Sequence, residues 1–256
     1  MSNIWILARK ELKSYFSSPI AYIVLAMSAL IFGYFFYATT AAFMQTSLRA
    51  AMQRGMTPPM NLNDYIVRPM LMNISVISLF LLPMITMRLF AEEKRSGTME
   101  LLLTSPLRDL EIILGKWLAA LILYSCLLLL TLLNLGFLFL NGQPDWRMMA
   151  VGYLGLLLQG ATYLGLGAFI STTTRNQIIA SSVTFAVFLI LYVLDWITIF
   201  NTSMAGKVIS YLSVTSHYES FARGVVDLKD VVYYLSAIFL GLFLTSRSLE
   251  SLKWRA

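Results

Sequence analysis

The sequence contains few charged residues, one cysteine and one histidine, and each scarcity excludes a class of protein. Charged residues make up 12% of the 256 positions, about half the share expected of a soluble domain. The single cysteine, Cys126, excludes both a disulfide framework within the chain and a cysteine-based metal site. The single histidine, His217, excludes a zinc site of the His-Glu-x-x-His type. Because no nucleophile with a matching base can be recognised, the sequence indicates a protein that is not an enzyme.

The sequence also lacks a recognisable phosphate-binding loop. Gly115-Lys116 looks like the end of one, but Leu110 stands where that motif needs a glycine, and Trp117 where it needs serine or threonine. The net charge of +6 does not indicate nucleic acid as a partner, because the basic residues are dispersed between apolar segments. The chain therefore has no visible means of binding ATP by itself.

Long apolar runs are what the sequence has in abundance, since 58% of its residues are hydrophobic. Six segments approach the length of about 20 residues that crosses a bilayer: residues 20–42, 71–90, 118–140, 148–170, 178–200 and 230–247. The first run is longer than the core of a signal peptide, so it is expected to remain as a span. The predicted fold is an all-α integral membrane protein with six transmembrane helices, forming a single transmembrane domain over residues 1–256.

Residues 1–19 are predicted to form an amphipathic helix that lies along the membrane surface. Basic residues occupy one side, and the other side carries apolar residues at helical spacing: Trp5, Ala8, Leu12, Tyr15 and Phe16. Pro19 then marks the turn into the bilayer. The alternative is an ordinary basic segment beside the membrane.

The distribution of basic residues predicts the orientation of the chain. With the N-terminus inside the cell, twelve of the 19 lysines and arginines fall in cytoplasmic segments and seven in external loops. Both termini are therefore predicted to be cytoplasmic. The connection at residues 201–229 is predicted to be external.

Residues 91–117 form the connection that is densest in charge, and they are predicted to be cytoplasmic. Gly97 and Pro106 separate two short helical patterns, and Thr98 is placed to cap the first of them. The first apolar face comprises Met99, Leu102 and Leu103, and the second comprises Leu110, Ile113, Leu114 and Trp117. Short amphipathic helices of this kind could lie in a groove on a soluble partner. The alternative is a surface loop without a partner.

Three stretches of this connection resemble the coupling segment of ABC-2 type transporter permeases. They are Glu-Glu-Lys-Arg-Ser-Gly-Thr-Met-Glu at 92–100, Leu-Leu-Leu-Thr-Ser-Pro at 101–106 and Ile-Leu-Gly-Lys at 113–116. The resemblance covers nearly the whole chain. It is closest to the permease associated with bacterial gliding motility, and it extends to the permease of the nitrous-oxide-reductase maturation transporter.

The resemblance implies a permease in the bacterial inner membrane, surrounded by lipid, that exports its substrate. It implies a second permease copy or homologue, and separate ATPase subunits that bind ATP and magnesium, with no cofactor in this chain. The residues it implies for ATPase docking are Glu92, Glu93, Gly97, Thr98, Glu100 and Pro106. The alternative function is a membrane scaffold that transmits force to an external partner through residues 43–70 and 201–229 without moving a solute.

Six polar residues are candidates for a transport pathway or gate: Asn134, Gln159, Asp195, His217, Glu219 and Arg223. Asp195 is expected close to the outer interface, because it lies about 26 Å along a helix that starts near Ile178. The last three fall in the external connection, where Tyr218, Phe221 and Val225 fit one face of an amphipathic or re-entrant helix. Helix packing or interfacial anchoring is the alternative role for each.

Overall fold

The computed structural model describes residues 2–17, 19–52, 61–104, 106–196 and 204–253. Within these ranges the chain forms helices and turns and contains no strand. Six of the helical segments are long and apolar enough to cross a membrane. The predicted all-α membrane fold is therefore confirmed.

Eleven α-helices are present in the described ranges. They are α1 (Ser2–Ser17), α2 (Pro19–Met52), α3 (Arg68–Thr86), α4 (Ala91–Ser96), α5 (Met99–Leu103), α6 (Asp109–Asn141), α7 (Trp146–Thr173), α8 (Gln177–Val193), α9 (Met204–Ser210), α10 (Val214–Ala222) and α11 (Leu228–Lys253). A π-helical turn, Asn63–Val67, leads into α3, and a 3-10 turn, Leu194–Trp196, extends α8.

Helix α7 lies at the centre of the bundle and contacts α3, α6, α8, α10 and α11. Its most extensive contact is with α11, where a Cβ added to Gly241 would lie 2.6 Å from the carbonyl carbon of Gly165. Small residues allow such close packing of helices in lipid. In the most apolar stretch of each helix, 72% of the residues of α7 are buried within the chain, compared with 22% of the residues of α2. The outer helix α2 therefore presents most of its apolar side chains to the surroundings of the chain.

Helices α2 and α8 end at positions other than those predicted from the sequence. Helix α2 continues to Met52, ten residues beyond its predicted end, so that Met44 lies within the helix. Residues 53–60, which belong to the predicted first external connection, lie outside the described residues. Helix α8 ends at Val193, and residues 197–200 of its predicted span also lie outside the described residues.

The prediction of a separate short helix after Pro106 is wrong. Helix α6 begins at Asp109 and continues for 33 residues, so residues 110–117 form its first turns. The carboxylate of Glu111 accepts a hydrogen bond from the backbone N–H of Arg108 at 3.0 Å, which stabilises the start of the helix. No proline follows until Pro144, so the amphipathic start runs directly into the apolar span.

Helix α1 is amphipathic as predicted, but its buried face differs in one residue. Leu7, Ala8 and Tyr15 are buried, and Leu12 packs against them. The assignment of Trp5 to this face is wrong, since 60% of its surface is exposed. The buried stripe begins with Leu7, two residues later than the sequence pattern indicates, and Leu7 packs against Gly115 of α6.

Candidate functional site

Charged and polar residues meet at two opposite ends of the helical bundle. The first, the α1 end, comprises α1, α4, α5, the start of α6 and the C-terminal ends of α7 and α11. The second, the α10 end, comprises α10, the π-helical turn and the connection between α6 and α7. The predicted docking residues lie at the α1 end.

A buried lysine occupies the middle of the α1 end. The Nζ atom of Lys116 lies 3.0 Å from Oε1 of Glu11 and 2.8 Å from Oε1 of Glu93. It also lies 5.5 Å from the ring centroid of Phe90, within the range of a cation–π contact. Only 2% of the lysine side chain is exposed. These three charged residues, which we name the Lys116 cluster, join α1, α4 and α6.

The glycine before this lysine brings α1 close enough for the cluster to form. A Cβ added to Gly115 would lie 2.9 Å from Cδ2 and 3.0 Å from Cβ of Leu7. Glu11 is one helical turn beyond Leu7 on the same face of α1, so this close contact directs its carboxylate to Lys116. Tyr15 follows one turn later, and burial raises the pKa of its hydroxyl, with a further contribution from the Glu11 carboxylate. The tyrosine therefore stays neutral.

Helix α4 is attached to α7 on its other side. The hydroxyl of Ser171 accepts hydrogen bonds from the backbone N–H groups of Phe90 and Ala91, both at 3.0 Å. The ammonium of Lys94 donates to the backbone carbonyl of Thr172. Ser171 thus satisfies N–H groups that the start of a helix leaves without partners. Helix α4 is held between α1 and α6 on one side and α7 on the other.

The structure separates the predicted docking residues into internal and exposed groups. Glu93 belongs to the Lys116 cluster, and Glu92 accepts two hydrogen bonds from Arg88, at 2.8 and 3.1 Å. Gly97 ends α4 with a φ of 73°, a conformation that glycine adopts at little cost. The remaining residues, Thr98, Glu100 and Pro106, are exposed.

Thr98 precedes α5 as expected, but it does not cap the helix with its side chain. Its hydroxyl instead forms a hydrogen bond with the hydroxyl of Ser96 at 2.8 Å. The short helix that follows buries Met99 and exposes 72% of Leu101. An apolar side chain is therefore presented to the surroundings next to the charged Glu100.

An open groove of about 540 Å³ runs between α1 and the α4–α5 corner. We name it the α1 groove, and its lining residues are Asn3, Ile6, Leu7, Lys10, Glu93, Thr98, Leu101, Leu102 and Leu107. Five of these residues are apolar, and the others can form hydrogen bonds or ion pairs. Such a mixture is typical of a surface that binds another protein.

Three pathway candidates lie on three different helices. Gln159 is buried on α7, and its Oε1 atom has no hydrogen-bond partner within the described part of the chain. Asn134 is half-buried on α6. Asp195 lies in the 3-10 turn at the end of α8, in agreement with its expected position near the end of a span.

The other three candidates divide between two clusters at the α10 end. Oε1 of Glu219 accepts hydrogen bonds from Nη2 of Arg68 at 2.9 Å and from Nη2 of Arg223 at 2.5 Å. We name these three residues the Glu219 cluster. His217 lies on the opposite side of α10 and is buried. There Nδ1 lies 2.7 Å from Oδ1 of Asp230.

The predicted amphipathic face in this region is only partly observed. Tyr218 and Phe221 are fully buried on α10. The assignment of Val225 to the same face is wrong, because α10 ends at Ala222 and Gly224 turns the chain with a φ of 82°. Val225 lies beyond this turn and is 52% exposed.

An open polar pocket of about 640 Å³ adjoins the Glu219 cluster. Its lining residues are Asn61, Asn63, Asp64, Arg68, Asp145, Arg147, Met148, Arg223 and Gly224. The amide oxygen of Asn63 accepts a hydrogen bond from the backbone N–H of Asp145 at 3.0 Å, which joins two of its walls. Among the residues that the structure describes, no group of three or more histidine, cysteine or acidic side chains could hold a metal ion.

Sequence reasoning missed the roles of Lys116, Ser171, Arg68 and Asp230. Lys116 follows the apolar stretch at 112–114, and a lysine in such a setting is a signal that an acidic partner lies elsewhere. The other three give no comparable signal. Their partners are separated from them by 80 to 151 positions for Ser171 and Arg68, and by 13 for Asp230.

Comparison with known proteins assigns a family to this arrangement of helices. No curated protein matches the chain. The family described as ABC-2 family transporter protein matches residues 5–245, which include all six candidate spans except the end of the last. The chain belongs to the ABC-2 family of transporter proteins and is a permease subunit of an ABC transporter.

Proposed function

We propose that a separate ABC ATPase docks on the α1 end and drives this permease, which pairs with a second copy or a homologue to export a substrate. ATP and magnesium bind to the ATPase subunit. The observation that carries the proposal is the Lys116 cluster, which joins α1, α4 and α6 beside the open α1 groove. Glu93, which lines this groove, is thereby linked through Lys116 to the membrane span of α6.

The contacts of α4 provide a path for movement from the docking surface into the spans. A displacement of α5 acts on α4, because only Gly97 and Thr98 separate the two helices. Lys116 transmits that displacement to α6, and Ser171 transmits it to α7. Rigid helices joined by buried contacts move together rather than deforming. ATP-driven movement of the ATPase would therefore tilt two spans at once.

The exposed residues of α5 favour a partner with an apolar recess. Leu101 projects from the short helix, and Glu100 and Thr98 lie beside it. An apolar side chain that fills a pocket, surrounded by polar groups, is a common arrangement in protein interfaces. Glu92 contributes less to such a contact, since its carboxylate is already paired with Arg88.

The contacts at the α1 end support a cytoplasmic location for it. Lys253 near the end of α11 pairs with Asp109 at the start of α6, so both lie at the same end as α1. Most of the segments that hold twelve of the 19 basic residues converge there. Basic residues accumulate on the cytoplasmic side of membrane proteins. We place this end in the cytoplasm of a bacterial cell, with the membrane being the inner one.

We also propose that the chain belongs to the gliding-motility group of these permeases, which the resemblance of its sequence supports.

The second permease copy would contact one of the outer helices, and α2 is suited to this role. Its exposed apolar residues include Tyr22, Ile23, Met27, Leu30, Tyr34 and Tyr37. Lipid covers the remaining apolar surface.

The test begins with purification of the tagged chain from its native membrane in mild detergent. We expect a stoichiometric partner that carries a nucleotide-binding motif, identified by mass spectrometry. The variant Leu101→Asp should lower the amount of this ATPase that co-purifies, because a charge replaces the apolar contact. The matched control is Val225→Asp, which changes another exposed apolar residue at the α10 end.

Two results would contradict the proposal. One is the absence of any ATPase under conditions that preserve other membrane complexes. The other is an equal recovery of the ATPase with Leu101→Asp and with the unmodified chain. Reconstitution in liposomes then separates a transporter from a force-transmitting scaffold, since only a transporter should show ATP hydrolysis that a solute stimulates.

A further inference from the structure

The single histidine of the chain is buried between two oxygen atoms at the α10 end. Nδ1 of His217 lies 2.7 Å from Oδ1 of Asp230, and Nε2 lies 2.9 Å from the backbone carbonyl oxygen of Tyr211. The exposed fractions of the two side chains are 5% and 2%. Each ring nitrogen thus has a polar partner, and only a small part of either side chain is exposed.

The positions of these atoms determine how many protons the pair holds. A carbonyl oxygen can only accept, so Nε2 must carry a proton and donate it to Tyr211. The contact between Nδ1 and Oδ1 also needs a proton, supplied either by the ring or by a protonated carboxyl group. In both cases the pair holds one proton more than a neutral imidazole and a carboxylate. We propose that His217 and Asp230 form a buried proton-binding site.

The surroundings favour retention of that proton. The ring of Tyr233 stacks on the imidazole with centroids 3.9 Å apart, and the ring of Tyr211 meets its edge at 4.8 Å. Oδ2 of Asp230 has no hydrogen-bond partner among the described residues. Without the proton, a buried carboxylate would therefore lack its main compensating contact.

Other ionisable groups border the pair or lie on the elements that pack against α10. Lys229 borders the same small pocket and pairs with Asp227 at 3.4 Å. Glu219 is two positions from His217 on α10, hence on the opposite side of the helix, and pairs with Arg68 of α3 and Arg223. The further titratable groups on elements packed against α10 are Tyr153, Tyr163 and Arg147 of α7, Tyr192 and Asp195 at the end of α8, and Tyr234 of α11.

A pocket gives the site contact with water. It has a volume of about 220 Å³, is open to the surroundings, and is bordered by both His217 and Asp230 together with three serines. Hydroxyl groups and water can relay protons between solvent and a buried acceptor. The pair can therefore equilibrate with the medium at the α10 end.

Proton loss should loosen the contact between α10 and α11. Once the proton leaves, either the carboxylate or the Tyr211 carbonyl faces a nitrogen lone pair, so one of the two hydrogen bonds is lost. The hydroxyls of Tyr233 and Tyr234 still bind the carbonyls of Leu212 and Val214, each at 2.8 Å. The result is a local loosening rather than a release of α10. This contribution to stability is present while the pair holds its extra proton and is lost as the pH rises and that proton leaves.

The chain contains one histidine, so NMR of histidine labelled with nitrogen-15 reports on this site alone. We expect His217 in nanodiscs to bind its proton at least about tenfold more tightly than it does in Asp230→Asn, because the amide carries no charge. The control is Glu219→Gln, which removes a neighbouring charge on the opposite side of α10. It should leave the titration of His217 nearly unchanged. Equal proton affinity in the unmodified chain and in Asp230→Asn would overturn the proposal.

A second measurement covers the case in which Asp230→Asn does not fold. The thermal unfolding of the solubilised chain should shift to lower temperature as the pH rises through the range in which histidine loses its proton. In His217→Gln the part of this shift that belongs to the pair should disappear. The same pH dependence in both proteins would also overturn the proposal.

Discussion

The two ends of the molecule use the same arrangement of charges with opposite signs and different burial. At the α1 end, one cation, Lys116, lies between two carboxylates and is 2% exposed. At the α10 end, one carboxylate, Glu219, lies between two guanidinium groups and is 43% exposed. A buried charge cannot exchange its partner for water, whereas an exposed one can. The difference predicts that α1, α4 and α6 are joined rigidly at the α1 end, whereas α10 and α3 are joined by a contact that can rearrange at the α10 end.

The largest expected effect comes from removal of the buried cation. Lys116→Met leaves Glu11 and Glu93 without a partner, and breaking a buried ion pair in this way costs about 3–5 kcal/mol. The free energy of unfolding, measured by denaturation of the chain in mixed micelles, should fall by that amount. The triple variant with Glu11→Gln and Glu93→Gln should recover much of the loss, because no unpaired charge remains. A loss below about 1 kcal/mol in the single variant would show that the cluster behaves like a surface ion pair.

The second effect concerns the close contact between α1 and α6. Gly115→Leu places side-chain atoms where Leu7 lies, so α1 must move away and the Lys116 cluster must lengthen. Overpacking of this kind costs about 1–3 kcal/mol. The control is Gly136→Leu in the same helix, where no atom lies within 4 Å of an added Cβ. The same measurement should show no comparable loss for the control, and equal losses for both would contradict the contact.

The third effect concerns the attachment of α4 to α7. Ser171→Ala removes the acceptor for the N–H groups of Phe90 and Ala91, and the loss of such a helix cap costs about 0.5–2 kcal/mol. Hydrogen exchange of these two amides should become faster. Ser236→Ala is the matched control, since its hydroxyl binds only a carbonyl of its own helix. Unchanged exchange at residues 90 and 91 would show that Ser171 does not fix the start of α4.

The smallest effect is expected at the Glu219 cluster. Glu219→Gln removes an exposed carboxylate from two arginines, and exposed ion pairs contribute about 0–1 kcal/mol. The measured difference should shrink further at high salt, because mobile ions screen exposed charges. A loss as large as that of Lys116→Met would remove the distinction between the two ends.

The sequence allowed the membrane fold to be predicted because each span carries its own signal. An apolar run of about 20 residues indicates a transmembrane helix whatever the rest of the chain does. The candidate site depends instead on contacts between distant positions, such as Lys116 with Glu11 and Ser171 with Phe90, which are 105 and 81 residues apart. No local pattern specifies such pairs. The resemblance indicated the segment proposed for docking, but it did not distinguish the paired Glu92 and Glu93 from the exposed Glu100.

The predicted surface helix at residues 110–117 and the predicted buried face of α1 are wrong for a related reason. The sequence pattern assigns residues 110–117 to a surface helix because they are amphipathic, and this amphipathic character is real. It arises because one face of α6 packs against α1 before the helix enters its apolar stretch. Trp5 is a second example, since it fits the helical spacing but lies outside the contact area with α6.

The central position of α7 also bears on how this protein can change over evolutionary time. Most side chains of α2 are not packed inside the chain. One apolar side chain can therefore replace another on this helix without a clash within the chain. A side chain added at Gly160 or Gly167 would collide with a residue of a neighbouring helix. Among relatives we therefore expect α7 to accumulate replacements slowly and α2 to accumulate them freely, so that the innermost helix records the ancestry of the fold and the outermost helix its adaptation to a particular membrane.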